Sequence, residues 1–285
     1  MASKDEIMQM CAGSVTDFGR IVMPKWAKKP SPSFHYEIDD RLKDPTIDRL
    51  NIVAPRGFAK TSVVGVFFPL WHIFVEHLHR DQPRRPSFVV IASKSRYHAV
   101  NIISSIKEVL EDSPYFRSLF GDWAKNPKVW TRDEIVLRDG TTILARGTGQ
   151  QVRGLNKYGV RPSLIVLDDP EDENNTKTPE AMEDNLRWLL QGLVPALARD
   201  RPSKVVVIGT PMHERGMVNE LSRMPVWSTM HYSAIKEDGT SLWPDQWSIE
   251  ELERERESYE ATGRISVFYR EYMCEVVADT DRVFG

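Results

Sequence analysis

The octapeptide Ala54-Pro55-Arg56-Gly57-Phe58-Ala59-Lys60-Thr61 sets a lysine beside a hydroxyl at the end of a short loop, with Ser62 next in line. The apolar run Leu50-Asn51-Ile52-Val53 precedes it, and a longer apolar segment follows. The pattern reads strand, loop, helix. Such a loop aims successive backbone N–H groups and the positive end of a helix dipole into one concavity, which suits a triphosphate. Lys60 then reaches the β- and γ-phosphates of ATP, and the Thr61 hydroxyl is a ligand for Mg²⁺. Alanines stand at 54 and 59, where the phosphate-loop pattern has glycine, so Gly57 is the single glycine of the octapeptide.

A second group of residues supplies acids. The run Leu164-Ile165-Val166-Leu167 delivers Asp168 and Asp169 at its carboxyl end, and Glu171 follows beyond Pro170. Open α/β sheets bind their ligands at such strand ends. Asp168 is the expected partner of Thr61 on Mg²⁺, while Asp169, or else Glu171, orients or deprotonates the attacking water. A third run ends in Ile208-Gly209-Thr210-Pro211, where the Thr210 hydroxyl is placed to sense the γ-phosphate. Capping and turn formation are the plainer roles for the same Asp, Gly, Thr and Pro residues.

Arginines complete the set. The stretch Arg146-Gly147-Thr148-Gly149-Gln150-Gln151-Val152-Arg153-Gly154 presents two guanidinium groups shortly before the acidic strand. An arginine that meets the charge spreading over a transferring phosphoryl group contributes roughly 10³–10⁵ in rate. Arg56, inside the loop, either touches the γ-phosphate of its own site or pairs with an acidic neighbour.

These motifs need a sheet to hold them in register. Buried strands are expected at 87–92, 163–167 and 204–208 besides the run before the loop. Single helices are expected over 62–77, from about 95 to 110, and from about 179 to 198. Short alternating runs at 134–137 and 141–144 flank Arg138-Asp139-Gly140 as a hairpin. Strands alternating with helices give a doubly wound, mainly parallel α/β sheet. Upstream, one helix is expected over 3–23, then an extended basic connector to Pro32, with 34–48 a polar approach to the first strand. Downstream, Ser248-Ile249-Glu250-Glu251 fits a capping box before a charged helix that runs to about 262.

The chain of 285 residues is 41% hydrophobic, ordinary for a globular core, which excludes fibrous and disordered classes. Its net charge of −3 gives no overall basic field. Contact with DNA therefore rests on local clusters: Lys25, Lys28 and Lys29 beside Trp26, and Arg80, Arg84 and Arg85. Cys11 and Cys274 lie far apart without metal-ligand spacing, so neither a disulfide scaffold nor a zinc site is expected, and a reducing compartment is. No apolar segment approaches the roughly 20 residues that span a bilayer, and no signal-peptide core opens the chain, so no membrane partner is expected.

In this order the motifs resemble those of the large terminase subunit of tailed bacteriophages, the ATPase that packages DNA into capsids. The likeness rests on Pro55-Arg56-Gly57-Phe58-Ala59-Lys60-Thr61, on Gly147-Thr148-Gly149-Gln150 through Arg153-Gly154, on 164–169, and on Gly209-Thr210-Pro211. Tyr259-Glu260-Ala261-Thr262-Gly263 through Phe268-Tyr269-Arg270-Glu271-Tyr272-Met273 is similar to the segment that closes the family's ATPase part. The resemblance implies a P-loop ATPase with a small C-terminal lid: an N-terminal helix and connector over 1–45, a core over 46–232, and lid and linker over 233–285. It implies that Lys60 and Thr61 take phosphates and Mg²⁺, that Asp168 holds the metal, and that Asp169 stands where the family's catalytic carboxylate, usually Glu, is found. Arg153, or else Arg146, acts on a neighbouring subunit's ATP, and Gly209-Thr210 couples hydrolysis to movement.

The partners implied are double-stranded DNA, a homo-oligomeric ring (a pentamer on the motor), the capsid portal protein and a small terminase subunit. The place implied is the host cytoplasm, at the portal vertex of the procapsid. A nuclease domain usually follows in the family; the chain ends at Gly285, so an isolated ATPase part without nuclease activity is expected. A helicase-like, nucleic-acid-dependent ATPase is the alternative that shares the sheet and the motif order.

Overall fold

The central strands are buried along almost their whole length because helices cover both faces of the sheet they form. The computed structural model describes residues 3–152 and 154–277. Its strands are β1 (Arg49–Val53), β2 (Phe88–Ser93), β3 (Val129–Trp130), β4 (Glu134–Val136), β5 (Thr142–Gly147), β6 (Leu164–Asp168), β7 (Lys204–Gly209) and β8 (Ser228–His231). They make one sheet in the order β3-β4-β5-β2-β6-β7-β1-β8. From β5 to β8 every pairing is parallel, and β3 and β4 add an antiparallel edge. The expected mainly parallel, doubly wound α/β sheet is therefore present. The hairpin is part of it rather than an appendage, because β5 pairs with β2 as well as with β4.

Period-2 alternation divides the strands between two cores. Ile52, Ile91, Val166 and Ile208 pack on the face that carries the N-terminal helices and the segments 61–79 and 96–112. Val53, Val90, Leu167 and Val207 pack on the other, against Leu189, Leu193, Val218 and Leu221. Asn51 is buried on that second face, where its amide donates to the Val218 carbonyl at 2.9 Å and ties a helix to the strand before the loop.

Several helices depart from the expected limits, each for a local reason. The single helix expected over 3–23 is two, Lys4–Gly13 and Val15–Val22. Ser14 ends one and caps the next: its hydroxyl accepts from the Asp17 N–H and donates to buried Asp39. The polar approach at 34–48 contains a third helix, Ser33–Lys43, burying Phe34, Ile38 and Leu42 at a spacing of four. Its last carbonyls accept from the buried ammonium of Lys204, which reaches Arg41, Leu42 and Asp44 at 2.7–3.0 Å.

The segment expected as one helix over 62–77 is broken into Thr61–Phe67, Phe68–Phe74 and Glu76–His79, and the first of these is wound in wide π turns. Pro69 lacks the N–H that an α-helix would need there. The segment 179–198 breaks in the same way at Trp188. The charged C-terminal helix is Ile249–Ala261, with the Ser248–Glu251 capping box formed in both directions.

The C-terminal segment is knitted to the end of the sheet. Tyr232 N–H donates to the Val53 carbonyl at 2.9 Å, and Ala234 N–H to Tyr272 at 2.8 Å, so Tyr269–Met273 lies over the phosphate-type loop. Both cysteines are buried thiols. Among the described residues no helix is long and apolar enough to cross a membrane.

Candidate nucleotide site

Parallel pairing carries the three chemistry-bearing strands to one edge. Val53 is level with Gly209, and Asp168 with Ile208, so the loop after β1 opens beside the ends of β6 and β7. The loop itself turns through left-handed backbone at Gly57 (φ 81°) and Ala59 (φ 57°). The conformation that glycine normally supplies is thus kept at 59 by an alanine, at a cost of roughly 1–2 kcal/mol. Ala54 has no such demand, since it simply continues β1, donating to the Gly209 carbonyl at 3.1 Å.

Lys60 is 6% exposed, and its ammonium has three partners: the Thr210 hydroxyl at 2.5 Å, the Ala54 carbonyl at 3.2 Å and Asp169 Oδ1 at 3.3 Å. Thr61 donates from Oγ1 to both carboxylate oxygens of Asp168, at 2.9 and 3.0 Å. Asp168 is buried, and burial together with the charge of Asp169 holds its carboxyl well above the usual range, against the pull of Thr61 and Lys60. A buried carboxylate short of positive charge, next to a hydroxyl, is an oxygen donor set that fits Mg²⁺. Among the described residues no three His, Cys, Asp or Glu side chains gather as a metal cluster. Mg²⁺ takes one or two protein ligands and completes its shell with phosphate and water, which Thr61 and Asp168 could provide for.

Asp169 and Glu171 occupy different environments. Asp169 adopts φ 42°, a left-handed conformation that Asp tolerates better than most residues, and its side chain is 43% exposed while touching Lys60. Glu171 is buried; one carboxylate oxygen accepts from the Met217 N–H at 2.8 Å and the other has no hydrogen-bond partner. Gly216 makes room for it, because a β-carbon there would stand 2.8 Å from Glu171 Oε2. Burial pushes the Glu171 carboxyl up to about 7, and the Met217 N–H only partly offsets this.

The raised value has a consequence for stability. Between its ordinary value of 4.5 and about 7 the folded protein holds a proton that the unfolded chain has lost, so stability falls as pH rises through that window. Glu171→Gln should remove on the order of 2–3 kcal/mol of that pH dependence, leaving the part due to Asp168. Thermal denaturation of the ligand-free protein at pH 5 and pH 7.5 checks it; an unchanged pH slope in the variant would show that Glu171 is not buried in this way.

Arg56 does not point at its own lysine. It is 76% exposed and pairs with Glu271 at 3.3 Å, while its backbone N–H donates to the Glu271 carbonyl at 2.8 Å. The pairing with an acidic neighbour, one of the two roles open to Arg56, is the one formed. Glu271 also pairs with Arg270, and together with Asp169, Glu171 and Thr210 these residues line a cleft of about 340 Å³. Arg146 lines a separate cavity of about 570 Å³ with Gln150 and Gln151, next to an Arg96–Asp133 ion pair. Arg153 lies outside the described residues.

Pro55, Phe58 and Ser62 frame the loop: Phe58 is fully buried, its carbonyl 3.0 Å from His35 Nε2. Beside Ser62 and Ala59 opens a cavity of about 260 Å³ walled by Trp26, Phe67 and Trp243, with Gln246 and Lys28 at its margin. Trp26 is half-buried against Phe67 there. Glu271, Trp243 and the Gly216-Met217 support of Glu171 are the residues that sequence reasoning missed. Only Glu271 had a signal, lying in the C-terminal segment singled out above.

Neither protein-family models nor curated protein sequences give a match to this chain. Solved structures do. The large terminase of bacteriophage HK97 superposes on 96% of the chain with a TM-score of 0.57 at 13% identity, and the chain spans 55% of that protein. The ATPase domain of the Thermus phage P74-26 large terminase aligns with 81% of the chain, which spans 90% of it, at TM-score 0.50 and 16% identity. A mutant of the same domain gives 0.54 over 85% of the chain and 93% of the domain, at 15% identity. The fold is that of large terminase ATPase domains, a P-loop NTPase-type sheet.

Proposed function

We propose that this chain hydrolyses ATP with Mg²⁺ to drive double-stranded DNA into a procapsid, as the motor part of a terminase large subunit. The observation that carries the reading is the convergence of Lys60, Thr61, Asp168, Asp169 and Thr210 at one sheet edge of this fold. Lys60 leaves Asp169 and Thr210 to bind the β- and γ-phosphates, while Thr61 and Asp168 hold the metal. Bound Mg²⁺ supplies charge neutralisation on the phosphate oxygens. Asp169, freed from Lys60, orients and deprotonates the attacking water, and Glu171 braces the turn at 216–217 behind Thr210. The base of ATP enters the cavity walled by Trp26, Phe67 and Trp243, where aromatic faces suit a purine.

Loss of the γ-phosphate returns Lys60 to Thr210 and Asp169. The loop then shifts against the Arg56–Glu271 contact, moving the segment after 232 as a lid. Arg146 or Arg153 serves a neighbouring copy's ATP in a ring, a pentamer on the motor. That ring meets the portal protein and a small terminase subunit at the procapsid in the host cytoplasm.

Phosphate release from ATP should be seen with Mg²⁺ and be absent in EDTA. Duplex DNA should be moved without strand separation. Background phosphate release would overturn the ATPase reading, and unwinding of a forked duplex would replace the packaging reading by a helicase-like one.

A further inference from the structure

The amino-terminal edge of the sheet, away from the nucleotide cleft, carries a second concentration of charge. A cavity of about 310 Å³ opens beside Ser163, which leads into β6, and is lined by four arginines, Arg80, Arg84, Arg85 and Arg201, against the two carboxylates Glu76 and Asp200. The strands between the two edges are five or six residues long, so roughly 16–20 Å separates this cavity from the loop at Lys60.

The walls are built rather than loose. Arg84 lies over the Trp123 ring at 4.3 Å and is held by Asp139 at 2.6 Å and the Ile73 carbonyl at 3.1 Å. Arg80 pairs with Glu76 at 2.8 Å, Glu76 with His72 at 2.7 Å, and His72 with Ser163 at 2.9 Å. Arg201 donates to the Pro86 carbonyl at 2.7 Å, which brings an arginine from 115 residues away to the loop of the first three. Arg85 is exposed, with no carboxylate paired to it among the described residues.

Two guanidinium nitrogens in this wall, Arg80 Nε and Arg201 Nε, are buried behind the cavity surface with no hydrogen-bond partner, so these side chains carry charge that the fold leaves incompletely satisfied. Buried donors normally find partners, and a charged donor without one is expensive. Glu76 is already committed to Arg80 and His72, and although Asp200 also lines the cavity, neither Arg85 nor Arg201 forms an ion pair with it or with another carboxylate among the described residues.

We propose that this cavity binds a phosphate group, free or in a nucleic-acid backbone, through Arg80, Arg85 and Arg201. A tetrahedral oxyanion accepts several charge-assisted bonds at once, which suits guanidinium groups converging from two segments. The site stands apart from the ATPase reading and does not depend on it.

The test uses the whole chain saturated with Mg²⁺ and a non-hydrolysable ATP analogue, so that the γ-phosphate position at Lys60 is filled as well. Inorganic phosphate is titrated calorimetrically, and a fluorescent duplex is titrated by anisotropy with and without phosphate. Wild type should take up phosphate, and Arg85→Gln with Arg201→Gln should weaken uptake at least tenfold while basal ATP turnover is unchanged. A parallel loss of duplex affinity, with competition by phosphate and a salt slope smaller by about one, identifies the backbone as the source. Unchanged duplex affinity with lost uptake identifies free phosphate. Phosphate and duplex binding both unaffected by the double variant would overturn the proposal. Should the double variant melt early, Arg85→Glu alone, at an exposed position, gives the same reading.

Discussion

Lys60→Ala should lower ATP turnover at least a thousandfold, equivalent to about 4 kcal/mol of transition-state stabilisation, while the protein stays folded. The size follows from where the ammonium sits. It is buried and reaches both the Asp169 carboxylate, after β6, and the Thr210 hydroxyl, after β7. In the proposed mechanism, Lys60 exchanges these partners for phosphate oxygens when ATP binds, and so faces the charge that develops on the γ-phosphoryl group. The fold tolerates the loss because Asp169, the anion left behind, is 43% exposed and regains water. Asp168 feels the change more, since the lysine's charge helps to keep its buried carboxyl ionised. Phosphate release and the thermal midpoint, measured together, check both halves. Turnover within tenfold of wild type would remove Lys60 from the chemistry.

The candidate site was legible in the sequence to the extent that each part of it is local. Asp168-Asp169 and Gly209-Thr210 stand at the ends of apolar strands and Lys60-Thr61 follows one after the short loop 54–59, and parallel pairing is enough to bring these ends together. What was not legible depends on distant segments. Arg56 and Glu271 are 215 residues apart, and nothing near Glu171 announces that Gly216 will leave space for its carboxylate. Helix Ser33–Lys43 was hidden because Glu37, Asp39, Asp40 and Arg41 dilute the apolar spacing of Phe34, Ile38 and Leu42. Strand β8 was hidden because an edge strand, Ser228-Thr229-Met230-His231, buries little and carries no apolar run. The alanines of the loop show the converse: a pattern search rejects Ala59, yet its backbone turns left-handed as a glycine would, since the strand and helix on either side dictate the path.

The two acids after Asp168 should separate cleanly on mutation. Asp169→Asn is expected to reduce turnover about a thousandfold with nucleotide binding retained, whereas Glu171→Gln should stay within about tenfold of wild type. A water-activating carboxylate has to be ionised, reachable by solvent and close to the γ-phosphate. Asp169 is half-exposed and 3.3 Å from Lys60, the lysine proposed to bind that phosphate. Glu171 has the attraction of a carboxyl near neutrality, which is the favourable range for a general base. Its geometry points elsewhere: one oxygen is committed to Met217 N–H, the other is enclosed, and the side chain sits against the turn that follows Thr210. An amide at 171 can still accept that bond, so the turn survives and the chemistry with it. An amide at 169 cannot take a proton from water. Single-turnover hydrolysis beside ADP binding for the two variants decides between them, and a larger loss in Glu171→Gln than in Asp169→Asn would transfer the base to Glu171.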